Sequence, residues 1–131
     1  MTFPLFHRPG TVVFLDVEPM TVIPDAMRAY YRAWTRAVLA DGRYRPGVYV
    51  HHSNAAAVYG DVRAAAAEAG GGEVPVWVAR TAGFSLARRP EESGFAFARV
   101  WQGALDVART WGGVTLTVDE NVAAAASPSA P

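Results

Sequence analysis

The 131-residue sequence contains no cysteine and no lysine. Without cysteine there are no disulfides, thiolate zinc sites, iron–sulfur clusters or cysteine nucleophiles. All twelve basic side chains are arginines, and twelve acidic ones balance them to a formal net charge of zero. That balance lacks the basic footprint of a nucleic-acid binder, or of a protein held on an anionic membrane. No apolar run approaches the ~20 residues of a membrane-spanning helix, so no membrane insertion is expected. The opening Met1–Phe6 has no basic stretch, and Pro4, His7, Arg8 and Pro9 break its apolar run early, unlike a signal peptide. The compartment is therefore left open. What the sequence does have is apolar residues, 51% of the chain against 18% charged, enough for one well-buried domain.

Along the chain, short β-type runs alternate with helical ones. Thr11–Val17 is β-branched and apolar on both faces, as in a strand buried within a parallel sheet. Pro24-Asp25 opens a helix with Met27, Tyr30, Tyr31, Trp34 and Val38 on one stripe and Gly42 as its stop. A second strand is expected at Val48–His51, and a second helix at Ala55–Ala69, capped by Asn54 and ended by Gly70-Gly71-Gly72. A third strand follows at Val74–Ala79, and Thr81–Gly94 has no clear period and reads as a loop. Strands four and five are expected at Phe95–Gln102 and Val114–Val118. The alternation predicts an α/β fold with parallel strands over residues 1–122, then an Ala/Pro/Ser-rich tail or linker at 123–131.

Right-handed crossovers place the C-terminal ends of parallel strands on one edge, where α/β folds hold their sites. The polar residues there are Asp16 and Glu18, then His51, His52 and Asn54, then Arg80, then Trp101-Gln102, and finally Asp119, Glu120 and Asn121. Asp16 and Glu18, two apart on a strand, share a face with Cα atoms roughly 6.5 Å apart. Carboxylates that close repel, so one keeps its proton and acts as an acid while the other serves as a base. Glycoside hydrolysis uses such a pair. The alternatives are a turn cap at Asp16 with an arginine partner for Glu18, or a Mg²⁺ site completed by His51, His52 or Asp119. Adjacent histidines on a strand point to opposite faces, so one at most would join a shared pocket. His7 has no visible partner. Trp77 and Trp101 are core residues or sugar platforms. No glycine run precedes a helix, which excludes the phosphate-cradling loops.

In order, FLDVEP (Phe14–Pro19), RPGVYV (Arg45–Val50), VPVWVAR (Val74–Arg80), VWQGA (Val100–Ala104) and TVDENV (Thr117–Val122) resemble the C-terminal part of a glycoside hydrolase family 25-like barrel, the group that includes the DUF1906 (Rv2525c-like) glycoside hydrolase-like domains. The resemblance implies a (β/α) TIM-type barrel, incomplete here because about five strands are expected and the opening βα units are not seen. It implies action on bacterial cell-wall peptidoglycan or a related N-acetylated glycan, at the cell wall or outside the cell, with no cofactor. Glu18 would be the general acid, Asp16 the residue that orients an acetamido group or activates water, and Asp119 a third acid. Tyr49, Trp77, Trp101, Gln102 and Asn121 would contact substrate. Two other readings stand beside it: a non-catalytic glycan-binding module, and a metal-dependent phosphoesterase-like site on a flavodoxin-like sheet. An open barrel edge would expose apolar strands, so self-association is expected.

Overall fold

The computed structural model describes residues 8–131, so His7 and the Met1–Phe6 segment lie outside the described residues. Strand β1 (Val12–Val17) leads into helix α1 (Asp25–Asp41), strand β2 (Arg45–His51), helix α2 (His52–Glu68) and strand β3 (Val76–Ala79). A loop with one short 3₁₀ turn (Pro90–Ser93) then gives way to strands β4 (Ala98–Trp111) and β5 (Val114–Ala123). The five strands form one curled half-barrel sheet in the order β1-β2-β3-β4-β5.

Each βα unit steps in the same direction, so right-handed crossovers put both helices on one face. There Val48, Val50, Val76 and Val78 of the sheet meet Tyr31 of α1 and Ala55, Val58, Val62 and Ala66 of α2, all buried. Sequential order also differs from the flavodoxin arrangement, whose strand order reverses near its first strand. The flavodoxin-like alternative is thereby set aside.

Strands β1 to β4 are parallel, but β5 runs antiparallel to β4. The expectation of five parallel strands is corrected here, and the reason is a turn. Trp111 and Val114 pair across Gly112 and Gly113, whose φ angles of 55° and 79° suit a two-residue hairpin of the type that matches strand twist. β4 therefore continues nine residues beyond Gln102 as one arm of a hairpin. Leu105, Trp111, Val114 and Leu116 of that hairpin are half or more exposed.

The first helix is also placed differently from its sequence stripe. Tyr31 and Thr35 are fully buried, whereas Met27, Trp34 and Val38 are only half-buried and Tyr30 is exposed. Trp34 and Val38 overhang β1, an edge strand, and with Val13 and Tyr44 they line an open apolar cavity. The two helices are joined by a polar clamp. Asp61 of α2, 7% exposed, accepts from Arg28 Nε and Nη2 at 3.0 and 2.9 Å, from Arg32 Nη2 at 2.5 Å and from the Tyr31 hydroxyl. Burial alone would raise the Asp61 pKa, but these donors outweigh it and hold the carboxyl at about 2.

The Ala/Pro/Ser-rich segment runs under the N-terminal ends of the strands. Ala124 N–H donates to Arg99 O, and Val12 N–H donates to Ser129 O at 2.9 Å. Arg45 reaches Gly10 O and Ala130 O from the same end.

Candidate functional site

The face of the sheet opposite the helices carries the polar residues. Asp16 of β1 pairs in register with Tyr49 of β2, and Tyr49 with Trp77 of β3. Phe14, Tyr49 and Trp77 form an aromatic row: the Trp77 ring meets Tyr49 edge-on at 5.0 Å and Phe14 at 5.7 Å. Gly47 makes room for that row, since a Cβ there would lie 2.8 Å from the Phe14 ring. The row passes into a hydrogen-bonded chain. The Tyr49 hydroxyl donates to Gln102 Oε1 at 2.5 Å, Gln102 Nε2 donates to Asp119 Oδ2 at 3.0 Å, and the Asp106 N–H donates to Asp119 Oδ1 at 3.0 Å. Beside it, Trp77 Nε1 donates to Asn121 Oδ1 at 2.8 Å.

Asp119 and Asn121 lie within the antiparallel β5, not at the C-terminal end of a parallel strand. They come level with the other site residues because Asn121 pairs with Gln102 and Glu120 with Ala104.

The carboxyl of Glu18 is held above its ordinary pKa, first by its hydrogen bond with Asp16, then by Asp16's charge and by desolvation. The two carboxyls of the D-x-E pair are therefore close enough to interact. Tyr49 feels the whole set. Burial, followed by the charges of Asp16, Asp119 and Glu18, pushes its phenol above the usual value. Asp16 and Asp119 belong to strands at opposite ends of the sheet order; Asp16 is the register neighbour of Tyr49, and Asp119 is linked to it through Gln102.

Trp101 is not among these residues. It is fully buried, on the side of the sheet away from Gln102, with Nε1 donating to Arg80 O at 2.7 Å and Phe84 packed edge-on at 5.2 Å. Consecutive strand residues face opposite ways, so once Gln102 faces the site Trp101 cannot. Its expected role as a sugar platform is corrected to that of an anchor for the 81–94 loop.

The histidines are also rearranged. β2 ends at His51 and α2 begins at His52, so the chain turns between them and their rings lie 4.2 Å apart. His51 Nδ1 accepts from the Ser53 N–H and so caps α2, in place of Asn54. Burial, His51 and Arg80 together lower the pKa of His52. Among the described residues, no group of three or more His, Asp or Glu is placed to hold a metal ion. Phe14 is the residue of this aromatic row that sequence reasoning did not bring forward. Phe14 was legible as the first residue of FLDVEP, two before Asp16 and on its face.

A family model described as Rv2525c-like, glycoside hydrolase-like domain matches residues 6–123. No curated protein and no solved structure matches the chain. The family match takes in every strand and both helices, including the D-x-E strand and the Asp119 strand, and the chain belongs to the Rv2525c-like glycoside hydrolase-like family.

Proposed function

We propose that this domain follows the (β/α)-barrel plan and hydrolyses a glycosidic bond of bacterial cell-wall peptidoglycan, in the manner of a lysozyme. The observation that carries the reading is the Asp16–Glu18 pair, two carboxyls close enough that Asp16 raises the pKa of Glu18. Glu18 then donates its proton to the departing glycosidic oxygen, and Asp16 remains a carboxylate on the same side of the sugar. From that side Asp16 either orients and charges a 2-acetamido group, whose oxygen attacks the anomeric carbon, or activates a water. The Tyr49–Gln102–Asp119 chain holds the next groups along the groove, and the Phe14–Trp77–Tyr49 row offers aromatic edges to the sugar.

The aromatic row also supports a second reading, a glycan-binding module that holds the polymer without cutting it. A turbidity assay on purified peptidoglycan, run beside sedimentation binding to the same material, separates the two. Lysis by the wild type that is lost in Glu18→Gln supports the hydrolase. Binding without lysis by the wild type rejects it in favour of the module.

A further inference from the structure

We infer that Asn54 is a positioning residue for Glu18, fixing the backbone immediately beyond that carboxyl. What the carboxyl does once placed rests on the hydrolase reading above. Glu18 lies just past the end of β1 and is followed by Pro19, which has no N–H to tie the chain down. The next donor is the Met20 N–H, and it goes to Asn54 Oδ1 at 3.0 Å. Asn54 Nδ2 donates back to Met20 O at 2.8 Å. One side-chain amide thus satisfies both backbone groups of one residue, across 34 positions of sequence.

Asn54 is 5% exposed, and its bonds to Met20 are partly buried. It sits in the first turn of α2, whose Ala55, Val58 and Val62 are fully buried in the core. The amide therefore ties the Glu18 segment to a rigid element. On its other side, Pro19, Met20 and Thr21 border an open cavity of about 400 Å³ with Ser53. The Met20 side chain touches the core, which sets the depth of the segment. The Asn54 amide sets the rotation of its peptide groups. Only an amide does both jobs: alanine leaves a backbone donor and acceptor unpaired, and aspartate sets a carboxylate against the Met20 carbonyl.

The test uses the whole chain and NMR, with no substrate. In the wild type, the Met20 amide should exchange roughly 10²-fold or more slowly than an unstructured amide. Exchange at the unprotected rate would mean that the clamp does not exist, and the inference would fall whether or not any variant folds. In Asn54→Ala, the segment loosens, Glu18 moves away from Asp16, and the Glu18 carboxyl titration midpoint should fall toward the ordinary glutamate value. Val58→Ala removes core volume from the same helix without touching the clamp, and it should leave that midpoint in place. A midpoint unchanged in Asn54→Ala, or shifted equally in Val58→Ala, overturns the positioning role. A wild type that cleaves no glycan but shows the protection and the shift supports the Asn54 assignment while rejecting the hydrolase reading, so the two failures are distinct.

Discussion

Tyr49 and Gln102 are joined by a hydrogen bond that spans the full width of β3, from β2 to β4. The residue of β3 at the level of Gln102 is Ala79, whose small side chain leaves the phenol a path across. Gln102 is 7% exposed and spends its amide on Tyr49 and Asp119, so it relays the position of one acid to the residue beside the other two. Tyr49→Phe keeps the ring against Trp77 and removes only the hydroxyl. The expected cost is about 1–2 kcal/mol, because the half-orphaned Gln102 oxygen stays buried. Urea denaturation measures it, and an unchanged midpoint would show that the bond contributes nothing.

The parts of this fold that could be read from sequence are those governed by local periodicity. The β-branched runs of β1 to β3 and the helix from Asp25 to Gly42 follow from residue spacing and end signals. Gly112-Gly113 held a hairpin signal too, but its meaning depended on β4 running through polar Arg109 and Thr110 to reach it. The strand was legible only as far as Gln102 because the arm beyond leaves the core and loses its apolar demand. Trp101 shows a different limit: alternation says that Trp101 and Gln102 cannot share a face, but not which of them faces the site. The register of β4 on β3 decides it, through the irregularity beside Trp77, and register is a tertiary property. Asp16 and Glu18 were recognisable as a pair because two-residue spacing is local. Their link to Asp119 runs through Tyr49 and Gln102 on two other strands, which is a tertiary property.

The helix clamp makes a pH prediction whose sign is fixed. Asp61 has a folded pKa of about 2 against an ordinary 3.8, so its contribution to stability is fully present above the unfolded value. It is lost as pH falls from near 4 toward 2, and is worth about 2 kcal/mol. Asp61→Asn should remove this component at neutral pH and flatten the stability profile over that acid window. Thermal melts at a series of pH values measure both. Equal acid slopes in the two proteins would show that Asp61 is not the group responsible.

The tail and the β1 edge make a linked prediction. Among the described residues β1 pairs with β2 on one side only, and the Arg45 N–H bonds to Thr11 O. Alternation along a parallel ladder then turns the backbone groups of Val12, Phe14 and Asp16 to the open side. Ser129 O occupies the Val12 N–H there, and Arg45 pins the neighbouring Ala130. Exposed strand edges flanked by apolar side chains pair with other chains, and Val13 is 40% exposed beside the edge. The chain should therefore self-associate, and removal of residues 124–131 should strengthen association by uncovering more of the edge. Val13→Lys should weaken it. Sedimentation velocity across a concentration series measures all three proteins, and a wild type that stays monomeric at every concentration ends the idea.

The reaction itself should carry the mark of the Asp16–Glu18 pair. Glu18 works as an acid only while protonated, so hydrolysis should fall as pH rises through its raised pKa. In Asp16→Asn the carboxylate that holds up that pKa is gone, and the alkaline limb should move to lower pH. The same variant loses the group that assists attack, and its rate should drop by about 10²–10⁴-fold. A limb that stays in place would mean that Glu18 is not the acid or that Asp16 does not control it. Product stereochemistry then separates the two possible roles of Asp16. Acetamido attack inverts the anomeric carbon twice and gives retention, whereas attack by an Asp16-activated water inverts it once. Asp16 near the end of β1 and Glu18 just past it are neighbours close enough to interact, which suits attack by the sugar's own acetamido group, because no second carboxylate need stand on the opposite side of the ring. Retention is therefore expected, read as the first-formed anomer by NMR before mutarotation. Inversion would reassign Asp16 as the base for water.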